Sequence, residues 1–136
     1  NYGIGLGFGP DYVEVDISKQ KLMIYLDNKK VFETDVITGR PGSETPVGAS
    51  YVWYKDTHQT LMGFNVHTGE NYETPVAYWV AVTDDNLIGL HDASWQYDFG
   101  GDSYLSHGSL GCININPAVM SQVYNHVYEG MPVAIF

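Results

Sequence analysis

Basic residues are scarce in this chain. Six Lys and Arg stand against sixteen Asp and Glu, for a formal net charge of −10 at pH 7. That balance repels polyanions, so nucleic acid and anionic membrane surfaces are excluded as partners, and a cationic one is favoured. Cysteine is scarcer still, with Cys112 the only one in 136 residues. An internal disulfide is impossible, and a lone thiol is worth reading as reactive. No apolar run approaches the roughly 20 residues that a membrane-spanning helix needs.

Metal-ligand spacing is missing too. His58, His67, His91, His107 and His126 form no H-E-x-x-H pattern, and there is no C-x-x-C. Neither a metal nor a cofactor is therefore expected. The leading glycines (Gly3, Gly5, Gly7, Gly9) precede a strand rather than a helix, which discards a phosphate-binding loop. Acidic residues are plentiful, but no pair stands out as the two carboxylates of a glycosidase. Residues 1–10 read as the remnant of a linker, and residues 11–136 as one domain of a longer protein.

What is present is a packed, strand-rich domain. Hydrophobic content of 44% and aromatic content of 14% suit a globular core and exclude a disordered chain. The alternation Tyr12-Val13-Glu14-Val15-Asp16-Ile17 reads as a half-buried strand. Leu22–Leu26 and Val31–Thr38 follow, with a hairpin turn at Asp27-Asn28. A loop rich in Gly and Pro runs over 39–48, and Tyr51–Lys55 resumes strand. Residues 56–74 are the least regular and read as a long loop, either a lid over a ligand or a plain surface hairpin. Val76–Thr83 reads as a central apolar strand, and Leu87–Leu90 as a further strand that delivers His91. Residues 92–106 read as a loop, and Cys112–Ile115 as a short strand. Asn116-Pro117 starts the one convincing helix, its apolar stripe built on Val119, Val123 and Val127, with Gly130 ending it. Pro132–Phe136 is the last strand.

The chemistry concentrates in Ser109-Leu110-Gly111-Cys112-Ile113-Asn114 and in Ile88-Gly89-Leu90-His91-Asp92. A cysteine with an imidazole near it can serve acyl transfer, because the base raises the thiolate fraction. Gly108 and Gly111 let the backbone turn and aim N–H groups at an oxyanion. The order is His first, then Cys, with 17 residues (92 to 108) between His91 and Ser109.

Those motifs resemble the catalytic domain of the L,D-transpeptidases, the enzymes that cross-link bacterial cell walls. The opening Tyr12–Leu22, the pair Thr38-Gly39, the run Thr45-Pro46-Val47-Gly48 and both segments above match that family in order, over about Tyr12 to Phe136. The resemblance implies a mainly β fold, a mixed-sheet β-sandwich with one helix after the cysteine strand. It implies Cys112 as nucleophile and His91 as base, with the ring oriented by the backbone carbonyl of Asp92 or by its carboxylate. Amides of Leu110, Gly111 and Cys112 would hold the oxyanion, Ser109 completes the motif, and Asn114 stands two places after the nucleophile. Tyr72 and Trp95 match aromatic positions beside the site, and Met62 belongs to the lid region.

The implied partners are peptidoglycan stem peptides as donor and acceptor, and carbapenem-type inhibitors. The implied reaction is a 3→3 cross-link made through a thioester with loss of D-Ala. The implied location is the wall or surface of a bacterium, of the Gram-positive type. One departure is Leu110, where many relatives have His. Another is Ser106-His107-Gly108-Ser109, which imitates the motif with Ser in the nucleophile slot; His107 reads as a loop residue. An L,D-carboxypeptidase with water as acceptor, or a non-catalytic wall-binding module, are the rival readings.

Overall fold

The computed structural model describes residues 7–136. Most of the leading glycine-rich stretch read as a linker therefore lies outside the described residues. Nine strands form one hydrogen-bonded series: β1 (Tyr12–Asp16), β2 (Lys21–Leu26), β3 (Lys29–Ile37), β4 (Gly48–Tyr51), β5 (Tyr54–Asn65), β6 (Glu70–Ala81), β7 (Gly89–Asp92), β8 (Ile113–Ile115) and β9 (Pro132–Ile135). Their spatial order is β4-β9-β1-β2-β3-β8-β7-β6-β5. Helix α1 (Ser103–His107) is a single short turn, and α2 (Pro117–His126) is the one helix of substance.

The first hairpin follows from local chemistry. Asp27 and Asn28 both sit at positive φ (54° and 62°), joining Leu26 to Lys29 in a two-residue turn. Asp and Asn tolerate that left-handed region better than other non-glycine residues, and such a turn matches strand twist. Pairing is antiparallel along β1-β2-β3 and parallel for β1–β9 and β7–β8, so the sheet is mixed.

Tyr51–Lys55 is not one strand. It is the crossing between the two outermost strands, β4 and β5. At the crossing Val52 N–H donates to Met131 O and Trp53 N–H to Ala81 O, both at 2.9 Å. The chain thus ties one edge of the series to the other and curls the sheet around its core. Side chains from both halves and from α2 share that core, among them Val13, Ile24, Leu90, Ile113, Met120 and Val133.

Several expectations change. β1 is buried along its whole length, Glu14 and Asp16 included, because β9 and β2 flank it and both its faces are covered. Tyr25 gives its hydroxyl to Glu14, and Asp16 accepts from Ser18 Oγ at 2.7 Å. Of the two readings of residues 56–74 the hairpin holds: they are the greater part of a long, regular β5–β6 pair. β6 lies next to the edge strand β5, so the central strands are β2, β3 and β8 instead. The stretch 92–106 carries the end of β7 and the start of α1. Helix α2 stops at His126 with Val127 already extended, and Gly130 (φ +90°) turns the chain into β9 rather than capping the helix. Its start is as read: Asn116 Oδ1 accepts from Ala118 N–H at 3.0 Å, with Pro117 in the first turn.

Leu90 is fully buried on β7. Leu90→Ala is expected to cost about 2–5 kcal/mol, read as a lower urea midpoint at unchanged slope.

Candidate active site

Parallel pairing of β7 with β8 sets the geometry. His91 is in register with Asn114, and Leu90 with Ile113. Side chains alternate across a strand, and neighbouring strands lie about 4.8 Å apart. The face that carries His91 therefore carries Asn114, and Cys112 lies two residues before Asn114. Both Cys112 and His91 line one open cavity of about 420 Å³, together with Ser109, Leu110 and Asn114.

The cysteine loop is held by a hydrogen-bonded knot. Ser109 N–H donates to Thr38 O at 3.0 Å, and Ser109 O accepts from Arg40 N–H at 2.9 Å. Ser109 Oγ donates to Cys112 O and accepts from Gly111 N–H. Thr45 Oγ1 donates to Gly111 O at 2.7 Å and accepts from Gly39 N–H at 3.0 Å. Beneath them the Gln20 side chain bonds both the N–H and the Oγ1 of Thr38. Gly39 has no room for a side chain: a Cβ there would sit 2.0 Å from Ser43 O. Gly111 has φ +129°, a conformation that other residues rarely adopt. The threonine-glycine and threonine-proline segments thus act as struts for the cysteine.

Gly111 is consequently not placed as an oxyanion donor. Its N–H is spent on Ser109 Oγ and its carbonyl on Thr45. Among the described residues no acceptor takes the N–H of Leu110 or Cys112, and those two remain available.

His91 is fixed from three sides. Its Nδ1 lies 2.8 Å from Asp92 O. A carbonyl only accepts, so Nδ1 carries the proton and Nε2 is left as the basic nitrogen. The Asp92 carboxylate does not orient the ring, because its oxygens accept from Ala77 and Tyr78 N–H at 3.0 and 2.8 Å. The imidazole packs beside two indoles, Trp79 at 6.0 Å and Trp95 at 5.8 Å between ring centroids. Burial holds its pKa below the ordinary imidazole value, against the pull of the Asp92 carbonyl.

Cys112 is partly exposed, and its Sγ lies 3.5 Å from Leu87 O. Burial pushes the thiol up to about 11, with the Gly89 N–H pulling the other way. Both shifts favour the neutral forms of thiol and imidazole in the free protein.

Tyr72 and Trp95 both line the cavity. Burial and the neighbouring Cys112 thiolate raise the Tyr72 pKa. Tyr72 faces Gly63 across the hairpin, and a Cβ on Gly63 would come within 2.6 Å of its hydroxyl. Met62 is not brought to the site. Leu61 and Asn65 line the cavity, whereas Met62 lies between them on the opposite face of β5 and is 68% exposed. The hairpin is nonetheless a wall of the site, and His67 Nε2 near its tip stands 3.0 Å from Ser43 Oγ.

Sequence reading missed Trp79, Gln20, Gly63 and Arg40. Trp79 is the cross-strand partner of His91, a relation that only register reveals. Arg40 carried a signal, as the only arginine in the chain. Among the described residues no group of three His, Cys, Asp or Glu side chains could hold a metal ion.

Fold and site together place a cysteine and a histidine in one open cavity on a curled mixed sheet. The family described as the L,D-transpeptidase catalytic domain matches residues 10–135, and the chain belongs to that family. The crystal structure of an Enterococcus faecium L,D-transpeptidase mutant superposes with a TM-score of 0.88 at 41% identity, covering 93% of this chain and 50% of that one. The solution structure of the E. faecium catalytic domain acylated by ertapenem gives 0.81 at 42% identity, covering 93% and 97%. L,D-transpeptidase 1 of Mycobacterium tuberculosis is 26% identical over 101 residues, 71% of this chain and 39% of that protein. The chain thus spans about half, or less, of these longer relatives.

Two outcomes are expected. Alkylation of Cys112 by iodoacetamide rises with pH through pH 9 without levelling, because the thiol titrates near 11; a plateau near neutrality would mean a preformed thiolate–imidazolium pair. Ser109→Ala strands the buried Gly111 N–H and costs about 1–3 kcal/mol, read by thermal melting.

Proposed function

We propose that this domain is an L,D-transpeptidase that acts on peptidoglycan stem peptides through a cysteine thioester, outside the cell membrane at the bacterial wall. The reading is carried by one observation: Cys112 and His91 line a single open cavity, with the imidazole locked so that Nε2 is its basic nitrogen.

Cys112 Sγ attacks the carbonyl of the third residue of a tetrapeptide donor, and its proton passes to His91 Nε2. The N–H groups of Leu110 and Cys112 stabilise the oxyanion. The C–N bond then breaks, and His91 gives its proton to the leaving D-Ala amine. In the second half an acceptor side-chain amine attacks the thioester and loses a proton to His91. The C–S bond breaks, the proton returns to sulfur, and a 3→3 cross-link is formed. One imidazole of low pKa serves as acid and then as base because it changes state in each half. The acidic surface suits a cationic acceptor. Acylation of the E. faecium domain by ertapenem supports the same chemistry for a carbapenem on Cys112.

The test is intact-protein mass spectrometry with tetrapeptide, with and without an acceptor amine. Wild type is expected to form a Cys112 thioester, to release D-Ala and to make dimer only with the acceptor. Cys112→Ala and His91→Ala are expected to lose activity by about a thousandfold or more. Cross-linking that survives Cys112→Ala overturns the reading, and D-Ala release with no dimer makes the domain a hydrolase.

A further inference from the structure

The one arginine of this acidic chain is spent at the catalytic cavity. Arg40 follows the Thr38-Gly39 strut, and its backbone N–H bonds Ser109 O. Its Nε donates to Gly108 O at 2.9 Å, which lays the guanidinium beside the loop that leads to Cys112. It is the only Lys or Arg lining that cavity. Three ion pairs form among the described residues, all made by Lys21 and Lys30, and none involves Arg40. In a chain with sixteen carboxylates, that leaves the two terminal nitrogens of Arg40 without an acidic partner.

The surroundings of Arg40 are pinned. Gln96 Nε2 donates to His107 O at 2.8 Å, and His107 Nδ1 donates to Gln96 Oε1 at 2.9 Å. The His107 ring stacks on Tyr97 at 4.7 Å. Both His107 and Gln96 line the cavity with Arg40. A guanidinium whose Nε is already anchored loses little freedom when its remaining N–H fork binds a planar anion.

We infer that Arg40 is a specificity-determining residue that binds a carboxylate of the donor peptide and seats its scissile carbonyl at Cys112. This rests on the transpeptidase reading above. Two sources could supply the carboxylate, the C-terminus of the leaving residue and a side-chain or branch carboxyl further back. The binding chemistry is the same for both.

The experiment compares three synthetic donors on the purified domain: the free acid, the C-terminal amide, and the amide of the internal carboxyl. Each is run with wild type and with Arg40→Gln, which removes the charge while keeping an N–H able to reach Gly108 O. In wild type, one of the two amides is expected to lose about ten- to a hundredfold in kcat/KM, mostly through KM. The amide that loses names the source. Arg40→Gln is expected to lose about as much on the free acid and nothing further on that amide. Equal rates on all three donors in wild type, or undiminished discrimination in Arg40→Gln, overturns the inference.

A second readout is independent of peptide turnover. The ratio of Cys112 alkylation by iodoacetate to that by iodoacetamide is expected to fall severalfold in Arg40→Gln. If wild type releases amine from no donor, the transpeptidase reading fails, and this ratio alone decides Arg40: a fall supports an anion subsite, and no change overturns it.

Discussion

The hydroxyl of Ser109 is the contact on which the site depends. It bridges the Gly111 amide and the Cys112 carbonyl, and with Thr45 on the Gly111 carbonyl it fixes the peptide units on both sides of Cys112. A loop with a glycine at φ +129° is floppy in isolation. Here it is rigid because each polar group at its bend has a partner drawn from a different part of the chain. Thr38 and Thr45 come from the loop after β3, and Gln20 from the turn before β2. These partners are buried, where a hydrogen bond competes with little water and an unmade one is costly. The sulfur is therefore presented by the fold's interior and not by a flexible surface turn.

The same burial decides the charge state of Cys112 and His91. Cys112 and His91 are both pushed toward neutrality, and the indoles of Trp79 and Trp95 offer the imidazole apolar faces rather than a carboxylate. A carboxylate at Nδ1 would have raised the ring pKa and favoured a resting ion pair. The Asp92 carbonyl orients the ring, while its carboxylate is occupied by β6 amides and acts on the ring only through its charge. Oxidation and alkylation begin from the thiolate, so a neutral thiol is also a protected one.

Parts of this arrangement were legible because they are local. Asp27-Asn28 and Asn116-Pro117 declare a turn and a helix start through their own backbone preferences. Cys112 and His91 stood out by the residues around them, the family resemblance joined them, and the fold puts both in one cavity. The β5–β6 hairpin was legible only as one of two readings. Its residues between Thr57 and Gly69 are polar or glycine at many positions, and much of it faces solvent on both sides, so no apolar alternation marks it. Gln20 was opaque for another reason. A fully buried glutamine at φ 52° has no propensity signal, and its value lies in two bonds to a residue 18 positions away. The engaged amide of Gly111 and the outward face of Met62 were equally invisible, since both depend on pairing and register.

Leu110 shows what this division implies for the motif. Its side chain lines the cavity, but the proposed mechanism uses only its backbone N–H, and that amide sits between the pinned residues Ser109 and Gly111. A backbone donor is indifferent to the side chain it belongs to, provided the loop keeps its shape. The loop's shape is set by Ser109, Gly111, Thr45 and Gly39, none of which touches residue 110 through a side-chain requirement. Leucine there places no imidazole at the position beside Gly111, and the proposed mechanism leaves proton transfer to His91. Under that proposal the imidazole beside Trp79 and Trp95, held in one tautomer by the Asp92 carbonyl, is the base in both halves of the reaction, and the loop's backbone needs no help from the side chain at 110.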